Sequence, residues 1–441
     1  MTTLTHKTIR FILETQWNKL PNAVRHQSKR CLLDALGALI AGMETPVAQV
    51  MTQFAAEQFA GDQATILVKG NRASLVGAAL VNGFAGNALD IDDGHRMIKA
   101  HPGACVLPVI LASGEQARCS GSDFLATFVI GYEVGIRAGL IRHARYEIFH
   151  SSGSWGAISG AAAAGKIMGL DENLLFHAMG AAEYHAPIGP MMKGIATPSM
   201  GKDSIGWGCM VAMSSVLMAQ NGFTGIHPLF DDTPERSWIE NLGQDYEIMN
   251  LYFKPCSACR WAQPAVEGAL RIMQENALSP NEIERITVFT FAEAAALSRE
   301  YPQNTEEAQY NMAFPIAAAL IDGEVGPRQT LPPRLSDKDL HQMMDRIDVV
   351  AEERFQKKFP ARALAEVRIQ TRDGRNLRSG ILSARWDPGS QLPTDAELIE
   401  KFHWLTRPVL GTEKAKEIEN MIWAFETISN VEELIRCCVK R

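Results

Sequence analysis

Ser151-Ser-Gly-Ser-Trp-Gly-Ala-Ile-Ser-Gly-Ala-Ala-Ala-Ala-Gly-Lys166 is the stretch on which the fold turns. It is built almost wholly of Gly, Ala and Ser and reads as a helix over 151–168. Small side chains let helix axes approach closely, which predicts a central place among other helices. Working outward, residues 21–42 begin with Pro21, carry Val24, Leu32, Leu33, Leu36 and Leu39 at helical spacing, and end near Gly42. Residues 73–89, 121–140, 172–182 and 203–221 continue the pattern, with Ser122 or Asp123 as the expected cap of the 121–140 helix.

The pattern changes after about residue 280. Ile283-Glu-Arg-Ile-Thr-Val-Phe-Thr-Phe291 is β-rich, 304–322 return to helix, and 364–386 read as a hairpin turning at Asp373-Gly374. The chain is helical again from about 396. The expected class is mainly α. A large all-helical domain forms from residues 1–260 and 396–441, with an inserted α+β lid domain over 261–395.

The bulk numbers exclude several functions. The chain has 441 residues, 46% hydrophobic and 21% charged, which is ordinary globular usage. Its net charge is −7 and no basic run stands out, which argues against a nucleic-acid partner. There is no signal-peptide pattern, and no stretch reads as a bilayer span, so the expectation is a cytoplasmic protein with no membrane partner. Eight cysteines are scattered without a disulfide framework, and the lone pair Cys256/Cys259 lacks the further ligands a zinc site needs.

Polar chemistry concentrates in three places. Asn87 to Gly103 holds Asp90, Asp92, Asp93, His95 and His101 with the cations Arg96 and Lys99, and Arg72 further off. That is either an active-site loop or a solvated loop of capping aspartates, and its oxygens would also suit a hard cation. Phe149-His150-Ser151-Ser152 opens the small-residue helix, whose free N–H groups suit a carboxylate. Lys202-Asp203 and Lys254 to Arg260 add cations at junctions.

Taken together these segments resemble the MmgE/PrpD family. The matching pieces are Ala88-Leu-Asp-Ile-Asp-Asp-Gly-His95, His101-Pro-Gly-Ala-Cys-Val-Leu-Pro108, Gly156 to Leu170, Lys202-Asp-Ser-Ile-Gly-Trp-Gly208, Asn221-Gly-Phe-Thr-Gly225, Lys254 to Pro264, and Ala308 to Gly323. The resemblance implies a homodimer with its site in the cleft between helical domain and lid, working without metal or other cofactor on a small carboxylic acid. It also carries catalytic positions onto Asp90, His101, His150, Lys202 and Lys254. Arg260, Cys259, Asp93, His95 and Ser151 are the expected substrate contacts. Two departures separate the chain from the family's decarboxylase branch: Cys259 stands near the place of a His, and the segment Lys-Pro-Leu-His-Ile-Gly is absent. The expected activity is therefore a hydro-lyase of the 2-methylcitrate dehydratase type, with decarboxylation, epimerisation or ligand binding alone as alternatives. Such a reaction needs an acid, a base and cations for the developing charge. His101 and His150 are assigned the proton transfers, Lys202, Lys254 and Arg260 the carboxylates, and Asp90 the orientation of His101 or a lysine.

Overall fold

The computed structural model describes residues 3–387 and 390–440. The small-residue segment is helix α7 (Gly153–Ile167), buried along 153–165. Around it stand α1 (Leu4–Glu14), α2 (Asn22–Gly42), α3 (Pro46–Gln58), α4 (Leu75–Asn87), α5 (Pro102–Ala117), α6 (Gly121–Arg145), α8 (Glu172–His185), α9 (Met191–Ala196) and α10 (Ile205–Gln220). The small side chains act as expected. A Cβ on Gly156 would lie 2.4 Å from Cys105 Sγ of α5, and one on Gly160 would lie 2.7 Å from Ala212 Cβ of α10. Three helices therefore meet at a distance only small side chains permit.

Caps set the helix starts. Ser74 accepts from the Gly77 amide and Asp171 from the Leu174 amide. The α6 cap is Ser120, one turn before the Asp123 amide it binds, and not Ser122 or Asp123 as the sequence suggested. Helix α6 also corrects the bilayer reading, because it is long and apolar enough to span one. Its apolar window is wholly buried inside the protein. Its buried Glu133 and Arg137, paired at 2.5 Å, hold the 238–248 segment: Glu133 accepts from the Glu247 and Ile248 amides, and Arg137 donates to the Trp238 and Asp245 carbonyls.

Two short ribbons pair β1 (Ala64–Thr65) with β2 (Arg72–Ala73), and β3 (Gly94–His95) with β4 (Leu251–Tyr252). The second ribbon matters most, because it ties the 87–103 loop to the segment carrying Lys254. Further on, β5 (Ile283–Thr290), β6 (Ile347–Ala351), β7 (Ala365–Thr371) and β8 (Asn376–Leu382) form a sheet in the order β6-β5-β7-β8. Strands β5 and β6 are parallel, with Ile286 opposite Ile347; β7 and β8 are the hairpin expected around Asp373-Gly374. The helix Gln263–Asn276 covers one face, with Gly268 against Val367.

Buried apolar residues form two main clusters. One runs from Leu4 to Phe253 and returns from Trp386 to Cys438; the other runs from Cys256 to Ile369. Lys254 thus stands where the chain leaves the first cluster for the second. The return is anchored by Lys401 of the helix Asp395–Leu410, which binds Asp34 of α2 and, at 2.7 Å, the Ile91 carbonyl of the charged loop. The sequence reading did not single out α3, α5, the Gln263–Asn276 helix or strand β6. Three of those helices begin with Pro at their first or second position, and α5 contains Pro108, which breaks the local pattern.

Candidate active site

A cavity of about 440 Å³ opens between the two clusters. The 87–103 loop supplies its polar floor. Helix α4 ends at Asn87, and Asp90 then takes φ +52°, a left-handed conformation that Asp tolerates better than most residues. Its carboxylate is buried and meets three groups. Lys254 Nζ lies 2.9 Å from Oδ1, His101 Nε2 3.5 Å and Lys202 Nζ 3.8 Å. Lys254 also donates to the Asp90 carbonyl at 3.1 Å.

His101 precedes Pro102, the first residue of α5. Its Nδ1 lies 3.0 Å from Asp92 Oδ2 and 3.1 Å from the Asp93 carbonyl oxygen. That side therefore carries the N–H, and Nε2 is left for the cavity. Burial disfavours the imidazolium most, but the charge and hydrogen bond of Asp92 together with the Asp203 charge outweigh it, and His101 holds its proton above the ordinary value. Asp92 is itself buried; burial raises its pKa, yet His101, Lys254 and Lys202 bring it down to about 2. Lys254 is likewise opposed by burial, but Asp90 holds it charged above its usual range.

The sequence-derived residues divide into two groups. Asp90, His101, Lys254, Cys259 and Arg260 all line the cavity. Arg260 reaches it already paired, with Nε and Nη2 on the two oxygens of Asp387 at 2.8 and 2.6 Å. The Cys259 thiol is pushed up to about 12 by burial and then by Asp90, so it presents a neutral wall. Lys202 stands behind Asp90, donating to the Asn87 carbonyl at 2.7 Å and to Gln309 Oε1 at 2.8 Å.

His150, Asp93, His95 and Ser151 do not line this cavity. The His150 ring stacks on His143 with centroids 4.2 Å apart, and its Nδ1 lies 2.7 Å from Ser154 Oγ. Burial lowers the proton affinity of both rings, His143 to about 3. Asp93 caps α5, accepting from the Gly103 amide at 3.0 Å and from the Tyr132 hydroxyl at 2.5 Å. Burial and then Asp34 push its carboxyl up to about 7. His95 Nε2 meets Glu247 at 3.2 Å, and Ser151 bridges the Pro187 carbonyl and the Gly189 amide.

Four residues that the sequence placed in polar segments without assigning them a role belong to the site or its support. Asp92 stands at His101 Nδ1, while Asp90 holds Lys254 and lies 3.5 Å from His101 Nε2. Asp203 lines the cavity, with its oxygens accepting from Ser152 at 3.1 Å and Tyr310 at 3.2 Å. Arg96 and Lys99 line it too, and their only sequence signal was membership of the charged loop. Asp90, His101 and Asp203 present ligand atoms within 4.8 Å of one another, a set that could hold a metal ion. Two ammonium groups already attend Asp90, and they supply there the positive charge a metal would bring.

Comparison with known proteins fits this geometry. Residues 7–247 match the MmgE/PrpD N-terminal domain and residues 256–427 the MmgE/PrpD C-terminal domain. Among curated relatives, the cis-aconitate decarboxylase-like protein oryM of Aspergillus oryzae is 25% identical over 96% of this chain and 95% of its own. The cis-aconitate decarboxylase of Homo sapiens is 24% identical over 95% and 90%, and that of Mus musculus 27% over 70% and 67%. Both halves of the chain match in order across the cleft that holds Asp90, His101 and Lys254, and the chain belongs to the MmgE/PrpD family.

Proposed function

We propose that the protein is a lyase acting on a small polycarboxylic acid, and that its reaction is decarboxylation of an unsaturated acid of the cis-aconitate type. One observation carries this reading: among the described residues His101 is the one imidazole that faces the cavity, with raised proton affinity, while the second expected proton carrier, His150, does not line it. Decarboxylation needs one proton donor and no base. The bond to the departing carboxylate breaks, CO₂ leaves, and the electron pair spreads across the neighbouring double bond toward a second carboxylate. His101 then delivers its Nε2 proton to the carbon where that charge collects. Lys254, fixed on Asp90 at 2.9 Å, stabilises negative charge developing on the carboxylate oxygens. Water limits the stabilising field, so the buried position of both groups strengthens it.

Dehydration of a hydroxy acid of the 2-methylcitrate type is the second reading, and Asp203 is what favours it. Removing water needs a base as well as an acid. Asp203 places a carboxylate beside His101 and Asp90. In that case Asp203 takes the proton next to a carboxylate and His101 protonates the leaving hydroxyl. In either case the protein works as a homodimer without a metal or other cofactor, as the family resemblance implies.

Proton NMR in D₂O separates the two. Incubation with cis-aconitate should yield CO₂ and itaconate carrying one deuterium. Vinyl signals from 2-methylcitrate or citrate, with cis-aconitate left untouched, would replace decarboxylation by dehydration. His101→Ala should lose about 10²–10⁴-fold in turnover while folding normally. Wild-type rates in that variant would remove His101 from the mechanism.

A further inference from the structure

A second cavity, of about 370 Å³, shares a wall with the first. Lys254, Cys259 and Arg260 line the active cavity, whereas Pro255 and Cys256 of the same segment line this one. Its walls join both apolar clusters: Trp386 belongs to the first, Val266 and Val325 to the second, and Trp404 comes from the helix Asp395–Leu410. Trp404 is fixed in place. A Cβ on Gly326 would lie 2.0 Å from its ring, and its Nε1 donates to Glu324 at 2.9 Å. The volume is that of a small-molecule site.

The polar groups left open in this cavity are acceptors. Gln263 lines it and is 3% exposed. Its Nε2 donates to the Cys256 and Ala258 carbonyls at 3.3 and 2.9 Å, which fixes the amide, and its Oε1 accepts no hydrogen bond among the described residues. A buried acceptor left open calls for a donor. Half-buried Glu267 and Glu324 and exposed Glu400 line the same cavity, and none of the three forms an ion pair among the described residues. The two cations of the wall are already matched, Arg385 by Glu397 at 2.6 Å and Lys401 by Asp34. Indole faces attract cations, as the Arg385 guanidinium shows by standing 4.6 Å from the centre of the Trp386 ring. A fixed amide oxygen, three carboxylates without counter-charge and two indole rings suit a cation that brings its own N–H donors.

We propose that this second cavity binds a small alkyldiamine, and that its occupancy is felt in the active cavity. An ammonium supplies the donor that the Gln263 oxygen lacks, and two of them offset the carboxylate charge. A quaternary ammonium has no such donor, and an anion meets only repulsion. The coupling follows from shared structure. Gln263 holds the carbonyls of the segment that carries Lys254 and Arg260. Trp386 precedes Asp387, the partner of Arg260, and Lys401 holds the Ile91 carbonyl between Asp90 and Asp92. The site is independent of which acid the active cavity takes.

Calorimetric titration of the full-length protein with 1,4-diaminobutane should show saturable binding, with 1,4-butanediol, equal in length and uncharged, bound at least about tenfold more weakly. Glu267→Gln and Glu324→Gln should each weaken the diamine by about 10–100-fold. Glu267 makes no hydrogen bond through its side chain among the described residues, so its variant reads binding without loss of fold. Hydrogen exchange with and without the diamine places the site: amides of 261–270 and 397–404 should slow, and those of 87–93 and 254–260 should change with them. A diamine that does not bind, binds no better than the diol, or binds both Gln variants as tightly as wild type overturns the site. Slowing confined to the active-cavity segment 191–203 overturns it as well. Slowing at 261–270 and 397–404 with 87–93 and 254–260 unaltered overturns the coupling.

Discussion

Asp92→Asn removes the charge beside His101 and keeps the shape. Asp92 is fully buried, with Oδ2 3.0 Å from His101 Nδ1 and Oδ1 accepting from Asn87 at 2.9 Å. An asparagine fills the same space, and Asn87 can present its amide oxygen in place of its nitrogen. The coupling can be sized from Asp92 itself, whose pKa falls from 3.8 to about 2 with His101 the chief lowering influence against burial. At about 1.4 kcal/mol per pH unit the net effect is on the order of 2 kcal/mol after the opposing burial, shared among His101, Lys254 and Lys202. By reciprocity His101 should lose proton affinity once that charge is removed. The sign follows from its role as acid. Activity falls as pH rises through the His101 pKa, so the basic limb of the kcat/KM profile should move to lower pH. At pH 8 the variant should be about 10–100-fold slower, and near pH 5 the two proteins should converge. The His101 Cε1–H resonance should titrate at correspondingly lower pH. A folded variant whose basic limb stays in place, or whose deficit is the same at every pH, would refute the argument and reduce Asp92 to a packing role.

Three further outcomes are expected. Lys401→Met strands the buried Asp34 carboxylate and should cost about 3–5 kcal/mol in urea unfolding, much of it recovered in the Asp34→Asn/Lys401→Met double variant; a single variant within about 1 kcal/mol of wild type would show that this pair does not anchor the C-terminal helix. Gly42→Ala would put a Cβ 1.9 Å from the Ala85 carbonyl oxygen, and since backbone must move, a loss of about 1–3 kcal/mol or more is expected in thermal melts; an unchanged midpoint would mean that α2 and α4 are not in contact there. Dialysis against EDTA should leave turnover intact, because Lys254 and Lys202 already attend Asp90. Activity lost on chelation and restored by one divalent ion would make Asp90, His101 and Asp203 a metal site instead.

Much of this protein is written locally. The Gly/Ala/Ser run at 151–166 announced a central helix, because side-chain size is a property of each residue and the consequence is close approach. Asp373-Gly374 announced the β7–β8 hairpin, because that dipeptide favours the turn by its own backbone preferences. The charged loop at 87–103 marked the site, because seven ionisable groups among apolar helices have few other places to be. Tertiary structure alone decided the rest, and the reason is distance along the chain. Lys254 meets Asp90 across 164 residues and Lys401 meets Asp34 across 367, so no periodicity of three or four residues could pair them. The same holds for choices among neighbours. Asp90, Asp92 and Asp93 look alike in sequence, yet a left-handed turn at Asp90 sends one to Lys254, one to His101 and one to the start of α5.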